Sequence, residues 1–371
     1  MGRPSPPTAS PGPVRGRGAS DNPPNRFEKL RLLPGVDADL DPADEPSPAT
    51  DFLRDSTSSI IARNDSPDVG FDASVNPYRG CEHGCVYCFA RPTHEYLGFS
   101  AGLDFETRIL VKEDAPQLLR RELSSPRWVP KVVAMSGVTD PYQPVEGRLG
   151  LTRGCLGVLA EFRNPVIIIT KNHRVTRDID HLAELAAVGA VRVCLSVTTL
   201  DPSLARIMEP RTSTPARRLA AIEALARAGV PVAVLVAPTI PGLTDHEMPA
   251  ILEAAAGAGA GLAGYVLLRL PHGVGPLFER WLGQHFPERK EKVLNRIRDM
   301  RGGRLYDPRW SIRQRGQGVF AKQILQVFEV SCRRFGLQTH GPELSTSAFR
   351  RPAEAEPSGM QLPLFGDPAG V

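Results

Sequence analysis

From about residue 72 the chain alternates short apolar runs with longer stretches whose apolar positions recur every three or four residues. Lys131–Ser136, Val166–Thr170, Val191–Val197, Val232–Ala237 and Gly264–Arg269 are nearly continuous in branched aliphatic residues, Leu and Ala. That is the pattern of strands covered on both faces. Helical stretches lie between them: Pro116–Leu123, Arg153–Phe162, Asp178–Ala187, Pro215–Ala228 and Asp245–Ala256. Pro215 stands near a first-turn position after Ser213 and Thr214, and Gly229 follows the last helical residue, the expected Pro-start and Gly-stop asymmetry. With one more strand before Cys81 there are six strand–helix units, which requires parallel pairing with right-handed crossovers. The fold class is α/β, an open sheet or a partial barrel. Chemistry in such barrels sits at the C-terminal strand ends, here Ser136, Thr170–Lys171, Ser196–Thr198 and Arg269.

The flanks differ. Eleven of the 36 prolines fall in the first 50 residues, where six Lys/Arg meet seven Asp/Glu, so residues 1–50 read as a disordered leader rather than a basic arm. The island Gly16–Ser20 with Asn25–Phe27 looks more specific than linker. Residues 51–271 form the barrel and residues 272–336 a basic helical extension, with 12 Lys/Arg against 4 Asp/Glu between Arg280 and Lys322. Residues 337–371 return to a loose composition. No apolar signal segment opens the chain, and the longest weakly polar stretch, Ala254–Leu268, is shorter than the ~20 residues a bilayer requires. The expectation is a cytoplasmic protein with no membrane segment, in which six cysteines stay reduced.

Three of those cysteines, Cys81, Cys85 and Cys88, make a CxxxCxxC loop. Three thiolates so close can converge on one metal centre. A structural zinc needs a fourth ligand, for which His83 and His94 are available. A [4Fe–4S] cluster is usually held by four cysteines, so three leave one iron open to a substrate or cofactor.

This loop, with aromatic Tyr87 just before its last cysteine, resembles the radical S-adenosylmethionine superfamily. Within it, Asn76–Cys81, Cys88–Tyr96, Thr139–Pro144, Thr198–Asp201, Met208–Arg211 and Ala237–Gly242 are similar to the group related to spore photoproduct lyase, the DNA repair photolyase-like proteins. The resemblance covers roughly residues 16 to 335. It implies a partial (βα)6 barrel, a [4Fe–4S] cluster on Cys81, Cys85 and Cys88, and S-adenosylmethionine bound at the open iron. Reductive cleavage of that cofactor would give a 5′-deoxyadenosyl radical, with an electron donor such as flavodoxin or ferredoxin.

By the same resemblance Tyr87 packs near the adenine, Ser136 and Gly137 take the cofactor's amino end, Lys171 its carboxylate, and Ser196 its ribose or carboxylate. Arg211 could clamp a carboxylate or simply pair with Glu209, and Asp140 and Tyr142 could line the substrate mouth. Related lyases carry a hydrogen-donor cysteine on the second strand, where this chain reads Ala134–Met135–Ser136. Cys155, Cys194 and Cys332 lack that context, which weighs against photoproduct lyase as the literal activity.

Two features point toward DNA. The basic segment, with Trp281, Tyr306 and Trp310 interspersed, could bind phosphates and stack on bases, or could cap the barrel with its aromatics in the core. Gln361–Phe365 resembles the peptide that docks on the bacterial sliding clamp. The reading is a radical S-adenosylmethionine enzyme, a lyase or other radical catalyst, acting on nucleic acid in DNA repair. The alternatives are radical modification of RNA or a protein side chain, and a clamp-tethered DNA-binding scaffold whose cluster is structural or redox-sensing.

Overall fold

The computed structural model describes residues 12–27 and 48–352. Gln361–Phe365 lies outside them, as do residues 28–47 of the leader.

The described strands form two sheets. The larger consists of β2 (Ile61–Arg63), β3 (Ala73–Val75), β6 (Val133–Met135), β7 (Val166–Thr170), β8 (Val191–Ser196), β9 (Val232–Thr239) and β10 (Leu262–Leu267), in spatial order 10-9-8-7-6-3-2. From β3 to β10 every neighbouring pair is parallel, and only β2 joins antiparallel, on the β3 edge. The six parallel strands are the five expected from the apolar runs and the one expected before Cys81, and β10 does not pair with β2, so the barrel is open. The smaller sheet pairs β1 (Asp51–Arg54) in parallel with β5 (Arg108–Val111), and β5 antiparallel with β4 (Tyr78–Arg79). Its strands β4 and β5 flank the cysteine loop in sequence, β4 ending two residues before Cys81 and β5 following the loop.

The expected helices are present within a few residues at their ends, as Ala115–Ser124, Leu151–Phe162, Ile179–Ala186, Pro215–Arg227 and Met248–Gly257. Pro215 occupies a first-turn position and Gly229 takes a left-handed φ of 74° beyond the helix end. The outward side chains of the strands and the inner stripes of these helices make one continuous apolar core, including Val75, Met135, Ile168, Val193, Val234 and Leu252.

Helices Val274–His285, Lys290–Asp299 and Gly318–Phe335 build the extension. The first two close a second core over the cysteine loop, where Val86 and Tyr87 pack with Met208, Phe278, Trp281 and Ile297. Trp281 is 2% exposed and donates its indole N–H to the Ile207 carbonyl at 3.1 Å. It is a core residue and not a stacking platform; Trp310, by contrast, is half exposed. Arg301, counted among the basic residues of the segment, is also buried, donating to the carbonyls of Leu268 and Arg313. Part of the local positive charge therefore serves as internal hydrogen bonding.

Residues 337–352 run along the protein without helix. Gln338 bridges Leu262 at the start of β10, the Ser345 amide donates to Gly189, and the Arg350 amide donates to Phe162. No helix among the described residues is long and apolar enough to cross a membrane.

Replacing Trp281 by Phe keeps a six-membered aromatic ring but removes the pyrrole half of the buried indole and leaves the Ile207 carbonyl without its donor. The urea unfolding free energy should fall by about 1–3 kcal/mol. Unchanged stability would contradict the core assignment.

Candidate active site

The loop from Gly80 to Arg91 is fixed by buried polar contacts. Arg91 is fully buried and donates to the carbonyls of Cys85 (3.0 Å), Ala101 (3.1 Å) and Gly102 (2.9 Å), and to Glu106 at 2.5 Å. Glu106 accepts in turn from the amides of Gly18 (3.0 Å) and Ala19 (2.8 Å). The Gly16–Ser20 island is thereby docked against the loop. A Cβ at Gly18 would lie 1.7 Å from the Gly84 carbonyl oxygen, so only glycine permits that approach. Glu82 accepts from the Val145 amide at 2.7 Å, and its own amide donates to Gln143 at 2.9 Å. The loop is thus held from both sides before any metal binds.

Cys81, Cys85 and Cys88 line one cavity of about 290 Å³ at the C-terminal ends of the parallel strands. Tyr87, Ser136, Gly137, Lys171 and Ser196 line the same cavity, as do His83 and Asp140. Arg211 does not. It forms an ion pair with Glu82 at 3.1 Å beside a separate surface cleft, so the expected pairing with Glu209 is not made. His94 is also elsewhere: it packs against Phe99 and Phe105 and bonds the Arg108 carbonyl, and burial pushes its pKa down to about 4. Tyr142 is buried in the main core, away from the cavity.

One buried acid organises the cavity floor. Glu209 accepts from Tyr87 and Arg218, and from Thr198 at 2.7 Å, with Lys171 Nζ at 3.1 Å. Burial alone would raise its pKa; the charges of Arg218 and Lys171 and the hydroxyl bonds outweigh it and hold the carboxyl well below its usual range. Lys171 Nζ also donates to Thr198 Oγ1 (2.9 Å) and the Ala237 carbonyl (2.8 Å), so its three donors are spent within the protein. The Tyr87 hydroxyl is committed to the same network, which leaves its ring to face the cavity. Sequence alone did not single out Glu209 as an anchor; its signal was only its place within Met208–Arg211.

A second acid shapes the rim. Asp140 accepts from Thr170 Oγ1 and the Lys171 amide, each at 2.7 Å, and lies 3.3 Å from His83 Nδ1. Burial opposes its ionisation, but His83 and these donors lower its pKa. Asp140 therefore ties the cysteine loop to the end of β7 as well as making a turn.

The Ser136 hydroxyl is different. It is buried and lines the cavity, yet finds no hydrogen-bond partner among the described residues. A buried polar group without a partner is costly, and a polar ligand or a water placed there would relieve it. Beside it, the Gly137 and Val138 amides are turned onto Asn76 Oδ1 at 2.9 and 3.3 Å. A Cβ at Gly137 would meet nothing closer than Ser74 Oγ at 3.5 Å, so any demand for glycine there comes from the cavity side.

Burial pushes the three loop thiols up, and the neighbouring cysteines and Asp140 push Cys81 further. Backbone amides directed at Cys81 and Cys88 oppose this, and metal binding must displace the protons. Among the described residues no three His, Cys, Asp or Glu side chains are placed to hold a single metal ion. The three thiols line one cavity, and in a cluster each would bind a different iron, so they need not converge on one point as the ligands of a single ion must.

Residues 75–255 match the family model described as the Radical SAM superfamily. An uncharacterised protein of Mycobacterium tuberculosis is 41% identical over 257 residues, covering 68% of this chain and 74% of that protein. The chain belongs to the radical SAM superfamily. An uncharacterised protein of Methanocaldococcus jannaschii is 28% identical over 173 residues, covering 47% of this chain and 62% of that protein.

Spore photoproduct lyase complexed with dinucleoside spore photoproduct matches with a TM-score of 0.54 at 17% identity, covering 78% of this chain and 81% of that one. A variant of that lyase with bound AdoMet and dinucleoside spore photoproduct gives 0.53 at 18% identity, covering 78% and 80%. At that identity the likeness is one of fold. As a radical SAM enzyme the protein uses a [4Fe–4S] cluster and S-adenosylmethionine. The cavity with its cysteine wall and unpaired Ser136 hydroxyl fits both.

Two substitutions test this geometry. Glu209→Gln leaves Arg218 buried without its counter-charge and should cost the apo-protein about 3–5 kcal/mol near neutral pH. A carboxyl with a lowered folded pKa contributes stability that is complete above the ordinary glutamate value and lost as pH falls toward its own lower one. The gap between wild type and Glu209→Gln should therefore stay constant above about pH 4.5 and narrow below it. Ser136→Ala removes an unpaired hydroxyl and should leave apo-protein stability unchanged or raised by up to about 1 kcal/mol while weakening S-adenosylmethionine binding. A large loss of stability would mean that the hydroxyl has a partner within the protein.

Proposed function

We propose that this enzyme acts on nucleic acid, with damaged DNA as the first candidate, in the cytoplasm. In this reading Cys81, Cys85 and Cys88 hold the cluster, and Tyr87, Ser136, Gly137 and Ser196 form the cofactor pocket. Lys171 acts chiefly by holding Glu209 and the strand ends in place. The observation that carries the cluster assignment is the meeting of the three thiols and the unpaired Ser136 hydroxyl in one cavity. When bound, the cluster supplies the electron for reductive cleavage of S-adenosylmethionine and so the radical chemistry, with a small electron-transfer protein such as flavodoxin or ferredoxin as its source. The residues of this chain orient the cofactor and exclude water from the reacting end of the cavity.

Three observations support nucleic acid. The cavity is rimmed by the half-exposed ring of Phe89 and by Arg269. Arg313 lies 3.9 Å over the exposed ring of Trp310, and Gln314, next in sequence, reaches the cavity wall. Arginine beside open aromatic faces suits phosphates and stacked bases. Spore photoproduct lyase, of similar fold, is complexed with a dinucleoside photoproduct.

The test is a substrate screen with the reconstituted, reduced enzyme and S-adenosylmethionine, reading 5′-deoxyadenosine. Ultraviolet-irradiated DNA oligonucleotides should raise its formation several-fold above the level without substrate and above unirradiated DNA. Stimulation by RNA or by a protein extract alone would overturn the assignment to DNA.

A further inference from the structure

The cavity reaches the seam of the open barrel. Val69 and Phe71 from the β2–β3 connection line it together with Val266 and Leu267 of β10, strands at opposite ends of the sheet. Asp68 spans that seam, accepting from the Ser311 amide and pairing with Arg313 Nε, each at 2.5 Å.

Arg269 stands at the seam, two residues beyond β10, with its guanidinium 4.5 Å over the ring of Phe89, the residue after Cys88. Its Nε has no hydrogen-bond partner among the described residues. Burial depresses its pKa, Tyr306 and the field of Asp68 partly compensate, and Arg313 opposes. Asp68 itself is already engaged by Arg313 and Ser311, so it cannot neutralise Arg269 fully. Lys171, the other cation on the cavity wall, is matched by Glu209. Arg269 is thus a partly desolvated cation facing the cavity without an acid of its own, a state that an anionic ligand relieves.

The planar fork of a guanidinium matches the oxygens of a phosphate. A cofactor carboxylate is the competing anion, but the expected cofactor residues Ser136, Lys171 and Ser196 end β6, β7 and β8, while Arg269 follows β10 at the sheet's far edge. Beyond Arg269, Arg313 is held by Asp68 and lies over the half-exposed ring of Trp310, while Gln314, next in sequence, lines the cavity. We propose that Arg269 binds a phosphodiester oxygen of the substrate while the exposed ring of Phe89 takes an adjacent base. This rests on nucleic acid being the substrate class of the cavity.

The experiment is anaerobic fluorescence anisotropy of a labelled thymidine oligonucleotide with the reconstituted full chain, across a potassium chloride series, alongside S-adenosylmethionine binding to the same samples. Arg269→Gln should weaken oligonucleotide binding by about tenfold or more and lower the magnitude of the log–log salt slope by about one, with cofactor affinity retained. Arg269→Lys keeps the charge and loses the fork; its intermediate affinity carries the test if the glutamine variant does not fold. Wild-type binding matched by both variants would overturn the role of Arg269 alone. Lost cofactor affinity with oligonucleotide binding intact would overturn it too, assigning the guanidinium to the cofactor carboxylate. A wild-type protein that binds no oligonucleotide would instead remove the nucleic-acid reading itself.

Discussion

The buried carboxylate of Glu209 joins parts of the chain that are far apart in sequence. It binds Tyr87 of the cysteine loop, Lys171 beyond β7, Thr198 beyond β8 and Arg218 of the helix Pro215–Arg227. Lys171 and Thr198 both reach on to the Ala237 carbonyl of β9. A carboxylate without water must find its counter-charges in the protein, and here that requirement fixes the heights of three strand ends and of the loop above them. The cavity exists because those ends are held apart at its floor while Arg91 and Glu106 hold the loop from behind.

This arrangement divides the cavity's charge. Lys171 is neutralised at the floor, and the Ser136 hydroxyl is left without a partner on the wall. Arg269 remains at the seam with its charge only partly compensated. The proposed cofactor pocket on β6 to β8 and the proposed anion-binding mouth at β10 both rest on which groups the fold has already satisfied. Lys171, which the resemblance gives to the cofactor carboxylate, lines the cavity with its three donors already engaged by Thr198, Ala237 and Glu209.

The strands were legible because burial on both faces demands uninterrupted apolar runs, and Val166–Thr170 is a strand in sequence and structure alike. The cysteine loop was legible because its three cysteines lie close in sequence. Contacts between distant residues were not. Nothing local marks Arg218 as the partner of Glu209, or Gly18 as the residue that must lie against Gly84. Composition alone leaves the segment of Trp281 and Arg301 open between a nucleic-acid surface and a cap on the barrel; the structure takes both residues into the interior. Arg211 sits beside Glu209 in sequence, but the chain turns it toward Glu82, away from the cavity.

The most direct test of the cluster and cofactor assignment is electron paramagnetic resonance of the reduced, reconstituted protein with and without S-adenosylmethionine, beside a Cys88→Ala control. The account predicts a [4Fe–4S]⁺ signal that changes shape when the cofactor is added and is lost in the control. A cluster signal indifferent to S-adenosylmethionine, or one retained without Cys88, would contradict it.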